Sequence, residues 1–297
     1  MLNLQLPSPL QEIKDSLLNE KEVRFFIKRE DLIHPIVSGN KWRKLKYNLI
    51  RAKEEGHTTV LSFGGAYSNH LHALAAATNA AALKSIGMVR GEELSSLNPT
   101  LSDAKSNGME LHFISREDYK KKTEENFINT LHEKFGNFYL IPEGGYNEEG
   151  RKGCSEILEE ITIDFEVVCT ACGTGTTMAG IITSLPEKTK AIGFPILKGG
   201  DFLYKEINNL LSSSSEFKNR NWHLETDYHF GGYAKWNQEL LDFMNVFQQK
   251  HGIPLDQVYT GKMMYGLFDL IGKDFFQKGT TIVALHTGGL QGLGGLE

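Results

Sequence analysis

Short apolar runs alternate along most of the chain with longer segments in which apolar residues recur every three or four positions. The short runs are typical of buried strands and the longer segments of amphipathic helices. The pattern predicts strands at residues 25–32, 60–63, 86–89, 111–114, 138–141, 167–169, 191–194 and 281–285. It predicts helices at 42–53, 68–80, 100–107, 117–134, 149–160, 235–250 and 258–271, and another that follows residue 177 and ends near 185. This alternation predicts an α/β fold with mostly parallel, doubly wound sheets.

Two stretches stand outside this alternation. The Pro-Glu-Gly-Gly segment at 142–145 predicts a turn and is a candidate domain boundary, since proline and glycine favour turns. Four consecutive serines at 212–215, flanked by charged residues, predict a surface loop between helices.

Length and composition are those of an ordinary globular enzyme. The 297 residues are 40% hydrophobic and 23% charged, enough for one large or two modest domains with a sizeable core. A net charge of -5 without a basic stripe argues against nucleic-acid binding. No apolar run is long enough to cross a membrane, and residues 1–7 do not resemble a secretion signal. We therefore expect a cytoplasmic protein with neither a nucleic-acid nor a membrane partner.

The cysteines and histidines do not predict a metal site. Cys154, Cys169 and Cys172 are too few for a disulfide framework, and they are typical of a reducing compartment. The last two form a Cys-x-x-Cys motif without a second pair, so buried strand cysteines are the favoured interpretation. His70 and His72 are two positions apart and would point in different directions on a helix.

Lys41 is the candidate reactive group because it lies where a loop is predicted to enter a helix. A cation in the first turn opposes the helix dipole, and this favours the neutral amine that a Schiff-base lysine must provide. The same position would also suit a solvated lysine in a basic surface run.

A glycine- and threonine-rich loop follows the strand predicted at 167–169. It offers backbone N–H groups and hydroxyls at the start of a helix, an arrangement that suits a phosphate dianion. It matches neither a Walker A loop nor a dinucleotide-binding fingerprint, and a structural turn without a ligand is an alternative. Its residues are Gly173, Thr174, Gly175, Thr176 and Thr177.

Ser68, Asn69 and His70 begin the helix that follows Gly64 and Gly65. Ser68 is a typical N-cap residue, and capping alone would explain it. A hydroxyl and a carboxamide at an exposed helix start would equally suit a substrate carboxylate or a cofactor oxygen.

Two segments near the start of the chain resemble a known family. Residues 28–31 (Lys-Arg-Glu-Asp) and 39–45 (Gly-Asn-Lys-Trp-Arg-Lys-Leu) are similar to the cofactor-lysine segment of the pyridoxal-phosphate (PLP) enzymes grouped as 1-aminocyclopropane-1-carboxylate (ACC) deaminase and D-cysteine desulfhydrase. The resemblance extends from residues 7–10 to 286–289, with the motifs in the family's order. It implies the two-domain fold of the tryptophan synthase β subunit, fold type II.

The resemblance also implies roles for individual residues. Lys41 would attach the cofactor PLP covalently, and the loop at 173–177 would bind its phosphate. Asn69 would lie beside the cofactor ring oxygen, with Ser68 facing the substrate. Further candidates are His70, Tyr233 and Tyr259 for substrate binding, with Ser68 and Tyr259 as possible partners of Lys41 in catalysis. Tyr233 would equally suit a core or interface position.

Thr260 and Thr287 resemble the D-cysteine desulfhydrase branch, because ACC deaminases have glutamate and leucine at the matching positions. A carboxylate against the pyridine nitrogen keeps the ring a strong electron sink, whereas a hydroxyl leaves a weaker one. Loss of a thiolate requires a weaker electron sink than the opening of a cyclopropane does.

The resemblance therefore implies α,β-elimination from D-cysteine to pyruvate, ammonia and hydrogen sulfide. ACC deamination, elimination from another β-substituted amino acid such as D-serine, and a non-catalytic phosphate-ligand binder are the alternatives. We expect a large PLP-binding domain from residues 1–45 and 151–297, a small domain at 46–150, and a homodimer, which the family suggests.

Overall fold

The computed structural model describes residues 2–92, 96–211 and 220–291, so the loop predicted at 212–215 lies outside the described residues. Its strands are β1 (Leu10–Ile13), β2 (Arg24–Lys28), β3 (Thr59–Gly65), β4 (Lys84–Arg90), β5 (Met109–Ile114), β6 (Tyr139–Ile141), β7 (Val167–Cys172), β8 (Lys190–Pro195), β9 (Trp222–Leu224) and β10 (Thr281–Leu285).

The α-helices enclose these strands. They are α1 (Ser16–Glu20), α2 (Asn40–Glu54), α3 (Asn69–Ala80), α4 (Pro99–Ser106), α5 (Arg116–Lys120), α6 (Glu125–Phe135), α7 (Glu148–Glu159), α8 (Thr176–Ser184), α9 (Phe202–Leu211), α10 (Gln238–His251) and α11 (Thr260–Gly272). None of these helices is both long and apolar enough to cross a membrane.

The strands form two sheets. The six-stranded sheet has the order β1-β2-β10-β7-β8-β9, and only the edge pair β1–β2 is antiparallel. The four-stranded sheet has the order β5-β4-β3-β6 and is entirely parallel. The predicted mostly parallel α/β class is confirmed.

The six-stranded sheet is buried on both faces, as a doubly wound sheet requires. In β10, Ile282 and Ala284 pack with helices α10 and α11, whereas Val283 and Leu285 pack with α7, α8 and α9. Neighbouring residues of a strand point to opposite faces, so an uninterrupted apolar strand serves both cores. The four-stranded sheet has its own apolar clusters.

Most predicted elements occur within a few residues of their expected bounds, but three predictions were wrong in detail. The helix predicted at 117–134 is two helices, α5 and α6, with a turn between them in which Lys122 pairs with Glu143, with 3.4 Å between their charged atoms. The helix predicted from residue 235 begins after Asn237, whose side chain caps it. The strand predicted at 25–32 ends at Lys28, and a 3₁₀ turn follows.

The expected domain division stays a prediction. The six-stranded sheet uses residues 10–28 and 167–285, and the four-stranded sheet uses residues 59–141. Both expected boundaries, after residues 45 and 150, fall inside helices, α2 and α7, that pack on each other. A Cβ atom at Gly153 would lie 1.8 Å from the carbonyl oxygen of Arg43, so glycine is required for this approach.

A buried ion network fixes the start of α2. Arg43 donates to both carboxylate oxygens of Glu30, at 2.8 and 2.9 Å, and to Glu160 at 2.8 Å. Lys28 donates to Glu160 at 2.8 Å and to the carbonyl oxygen of Ser8 at 2.6 Å. Arg43, Glu30 and Lys28 are each at most 1% exposed. Removing one member of such a network leaves an unpaired buried charge.

Arg43→Met should therefore lower the free energy of unfolding by about 3–5 kcal/mol, because it leaves Glu30 buried and unpaired. Arg51→Met on the same helix is the control. Arg51 is 51% exposed in its surface ion pairs with Glu55 and Glu149, and its loss should cost much less because water screens these charges. Urea denaturation measures both; equal losses would contradict a special role for the network.

Acid should weaken the network through Glu160. Burial by itself would raise the pKa of Glu160, but hydrogen bonds from Arg43 and Lys28 outweigh burial and lower this pKa from 4.5 to about 2. A lowered carboxyl pKa contributes stability above pH 4.5, and this contribution is lost as the pH falls toward 2. Between pH 6 and pH 3, Glu160→Gln should lose about 2 kcal/mol less stability than the unaltered protein. Urea denaturation at both pH values measures the free energies of unfolding. Equal losses in Glu160→Gln and in the unaltered protein would refute this.

Candidate active site

A cavity of about 540 Å³ lies where strands of both sheets end. Carboxyl ends of parallel strands are where open α/β sheets bind ligands. Eleven of the residues predicted for the site line this cavity: Lys41, Ser68, Asn69, His70, Gly173, Thr174, Gly175, Thr177, Tyr233, Tyr259 and Thr287. Thr176 and Thr260 are buried behind its wall.

Lys41 lies in the first turn of α2, as predicted, and is half-buried. Burial lowers the pKa of its ammonium group to about 7, and the nearby positive Lys44 contributes to the lowering. Its Nζ donates to Asn40 Oδ1 at 2.7 Å, and Asn40 Nδ2 donates to Thr177 Oγ1 at 2.7 Å. Asn40 thus joins the amine to the glycine-rich loop. At neutral pH a large share of the Lys41 amine is unprotonated and nucleophilic.

The glycine-rich loop begins α8. Gly175 has a left-handed φ of 85°, and a Cβ atom there would lie 2.8 Å from Ile207 Cγ1, so glycine fits this position. No side chain in the described chain caps α8, which leaves its first N–H groups for an anion. The hydroxyls of Thr174 and Thr176 lie 3.0 Å apart and support the loop.

Lys44 supplies a positive charge to the same cavity. It is 5% exposed, and among the described residues no carboxylate lies within ion-pair distance of it. A Cβ atom at Gly145 would lie 2.9 Å from Lys44 Cβ, and one at Gly144 would lie 2.8 Å from Thr174 Cγ2. The turn at 143–145 therefore contacts both Lys44 and the loop. A buried ammonium group beside a helix N-terminus suits a phosphate dianion.

The start of α3 presents Ser68 and Asn69 to the cavity. Ser68 caps the helix by accepting from the backbone N–H of Leu71 at 3.2 Å, so the capping interpretation is confirmed. Asn69 Oδ1 accepts from Gln291 Nε2 at 2.6 Å. Since its oxygen is used, Asn69 presents its Nδ2 amide hydrogens, which suit a negatively charged oxygen of a ligand.

Hydrogen bonding fixes the tautomer of His70. Ser62 donates its hydroxyl hydrogen to the carbonyl oxygen of Ile141 at 2.7 Å, so His70 Nε2 must donate to Ser62 Oγ at 3.0 Å. His70 Nδ1 is then an acceptor, and it has no partner among the described residues. Burial, together with the charges of Lys41 and Lys44, lowers the pKa of His70 to about 3. The imidazole is therefore neutral at physiological pH.

Two tyrosines lie side by side in the lining of the cavity. Their rings meet edge to face, with 6.5 Å between the centroids of Tyr233 and Tyr259. A Cβ atom at Gly173 would lie 3.3 Å from Tyr259 Cε1, so this ring lies against the glycine-rich loop. Burial raises the pKa of Tyr259 well above its usual value, and the neighbouring Tyr233 raises it further. Tyr259 is therefore a proton donor in hydrogen bonds at neutral pH.

The two threonines differ in their environments. Thr287 lines the cavity after β10. Thr260 Oγ1 donates to Asp256 Oδ1 at 2.7 Å and accepts from the backbone N–H of Asp256 at 3.0 Å, so its hydrogen is already used. Asp256 also accepts from the backbone N–H of Tyr259 at 2.8 Å and so holds the start of α11. A contact of Thr260 with the cofactor stays a prediction, and only Thr287 presents its surface to the cavity.

Asn40, Lys44 and Asp256 are among the residues that sequence reasoning did not assign to this site. A signal existed for Lys44, because it follows Lys41 by three positions and therefore lies on the same helix face. The Cys-x-x-Cys motif lies within buried β7, and burial raises the pKa of Cys172 to about 12. Within the described ranges, no group of three or more His, Cys, Asp or Glu side chains is placed to hold a metal ion.

Known proteins resemble the chain along nearly its whole length. A family model described as "Pyridoxal-phosphate dependent enzyme" matches residues 2–288. A putative ACC deaminase from Pyrococcus furiosus is 32% identical, over 90% of this chain and 85% of the relative. A bifunctional, mitochondrial D-cysteine desulfhydrase/ACC deaminase from Arabidopsis thaliana is 33% identical, over 97% of this chain and 77% of the relative.

The fold and the cavity agree with these matches. The solved structure of an ACC deaminase homologue superposes with a TM-score of 0.82 at 29% identity, covering 97% of this chain and 91% of the other. This confirms the predicted tryptophan synthase β-like fold. The N-terminus of α8 with Lys44 suits the phosphate of PLP, and the amine of Lys41 suits its aldehyde. The chain belongs to the pyridoxal-phosphate-dependent enzymes, in the group of ACC deaminase and D-cysteine desulfhydrase relatives.

Proposed function

We propose that the chain catalyses α,β-elimination from D-cysteine, giving pyruvate, ammonia and hydrogen sulfide. The observation that carries this choice is Thr287, whose hydroxyl-bearing side chain lines the cavity where ACC deaminases have leucine. At Thr260, where ACC deaminases have glutamate, the side chain is neutral, and the weaker electron sink that this implies suits the loss of a good leaving group such as a thiolate.

PLP, when bound, supplies an electron-withdrawing ring that accommodates the electron pair left on Cα when its proton is removed. The loop at 173–177 and Lys44 would hold its phosphate. Asn69 would donate to its ring oxygen through Nδ2, the group that Gln291 leaves free. These contacts would orient the ring in the cavity without using the Lys41 amine.

Lys41 is the proposed base that removes the Cα proton. Its pKa of about 7 matches a group that must take and return a proton near neutral pH. Ser68 and Tyr259 are candidates for assisting this transfer, and His70, Tyr233 and Tyr259 for contacting the substrate. His70 would accept a hydrogen bond through Nδ1 but would not act as the base, since its pKa is about 3.

ACC deamination to 2-oxobutyrate and ammonia is the second candidate function. The name of the Arabidopsis thaliana relative includes both activities, and that of the Pyrococcus furiosus relative includes ACC deaminase alone. Elimination from D-serine or a similar amino acid would use the same residues. Membership in an enzyme family argues against the non-catalytic alternative. The homodimer and the cytoplasmic location stay predictions.

Lys41→Ala should abolish both covalent capture of PLP and turnover. Lys46→Ala on the same helix, where Lys46 pairs with Glu156, is the matched control and should retain both. In the unaltered protein the capture rate should rise with pH through about 7 and level off above pH 8, because the lowered pKa frees the amine there. Borohydride reduction followed by peptide mass spectrometry identifies the lysine; capture of PLP by another lysine at an undiminished rate would contradict the assignment.

Product identity distinguishes the two functions. The purified holoenzyme should release sulfide and pyruvate from D-cysteine and should release no 2-oxobutyrate from ACC. L-cysteine in a parallel reaction reports the stereochemical preference. Release of 2-oxobutyrate from ACC without sulfide from D-cysteine would refute the argument from Thr287 while leaving the enzyme family unchanged.

A further inference from the structure

Tyr233 lies in a strained turn. The turn at residues 229–235, here called the Tyr233 turn, contains four residues with positive φ within five positions: Phe230 at 52°, Gly231 at 90°, Gly232 at 118° and Ala234 at 51°. Side-chain-bearing residues rarely adopt this conformation, and each such residue costs free energy that its surroundings must offset. Strained backbone of this kind persists where neighbouring contacts hold it, and it concentrates at functional sites.

A buried lysine adds to the hydrogen bonds within the Tyr233 turn, in which the backbone N–H of Gly232 donates to the carbonyl oxygen of His229 at 3.0 Å. Lys262, in the first turn of α11, is 1% exposed, and its Nζ donates to the carbonyl oxygens of His229 at 2.9 Å and Gly232 at 2.7 Å. The carbonyl of His229 precedes the residues with positive φ and that of Gly232 lies among them, so the ammonium group connects two points of the turn. In the part of the chain that the structure describes, no carboxylate lies within ion-pair distance of Lys262.

A buried lysine satisfied only by carbonyl groups is a costly way to support a loop. Desolvation of an ammonium group is unfavourable, and lysines are rarely fully buried without a partner of opposite charge. The segment before the turn has a separate anchor, since the Tyr228 hydroxyl donates to Asp269 on α11 at 2.7 Å. Lys262 is therefore not needed to attach the chain to α11; its contacts shape the tip that bears Tyr233.

We propose that Lys262 is a positioning residue that acts through Tyr233. It joins the Tyr233 turn to the helix that begins directly after Tyr259, so both phenol groups are placed by the same first turn of α11. This proposal rests on the proposed function in so far as Tyr233 contacts the substrate. Lys262 itself does not line the cavity.

Hydrogen–deuterium exchange on the unloaded protein tests the contact without any substrate. Lys262→Met keeps a long side chain and removes the ammonium group, so the amides of the Tyr233 turn should exchange about 10-fold faster or more. Gly232→Ala is a second variant that disturbs the turn by its φ alone and leaves α11 intact. Lys278→Met, which removes an exposed lysine paired with Glu22 on the surface, is the control and should leave exchange in the turn unchanged.

A double-mutant cycle tests whether Lys262 acts through Tyr233. Lys262→Met and Tyr233→Phe should each lower kcat/KM, by about 10-fold, and the double variant should lose no more than the larger single loss. A structural role elsewhere would give additive losses. Additive losses of kcat/KM would overturn the proposal. It would also be overturned if amide exchange in the Tyr233 turn were unchanged in both Lys262→Met and Gly232→Ala.

The outcomes separate this proposal from the proposed function. If D-cysteine is not a substrate, the cycle is measured with the amino acid that the holoenzyme does convert, and the exchange experiment needs no amino acid. If Lys262→Met lowers kcat/KM while Tyr233→Phe does not, Lys262 acts by another route and the proposal is wrong.

Discussion

The active site depends on how the start of α2 is fixed, and a buried ion network fixes it. Arg43 lies two residues after Lys41 and binds Glu30, which follows β2, and Glu160, which follows α7. The network therefore connects the six-stranded sheet, α2 and α7 through charged atoms that are shielded from water. Directional, charge-assisted hydrogen bonds define the position of a helix more narrowly than apolar packing does.

Close approaches between backbones complete this placement. A Cβ atom at Gly39 would lie 1.9 Å from the carbonyl oxygen of Thr287, so the chain entering α2 touches the end of β10. Gly153 allows the similar contact between α7 and α2. The glycines thus bring the Lys41 amine, the glycine-rich loop and Thr287 around one cavity.

Burial determines the protonation states of three groups of the cavity. It shifts the pKa of bases and the pKa of acids in opposite directions. It lowers the pKa of Lys41 and of His70, because a cation loses solvation, and it raises the pKa of Tyr259, because a phenolate would lose solvation. The amine is thus partly free, the imidazole is a neutral acceptor and the phenol is a donor. Burial is the largest cause of all three pKa shifts.

The family resemblance singled out Lys41. The sequence pattern by itself determined the α/β class, most strands and helices, the glycine-rich loop and the helix start at Ser68 and Asn69. These features are local: apolar periodicity, glycine spacing and helix caps reflect interactions between residues close in the chain. The same locality explains the missed edge strands β1 and β9, which are short and mix polar with apolar residues.

Tertiary structure alone decided how the residues around the cavity contact one another. The local pattern does not show that the hydroxyl of Thr260 donates to Asp256, or that Asn40 joins Lys41 to Thr177. It also does not show that Lys262 donates to the carbonyl oxygens of His229 and Gly232. Each of these contacts joins side chains or backbone groups whose directions depend on how helices pack. The pKa values of Lys41 and His70 belong to the same category, since burial is a property of the folded chain and not of a motif.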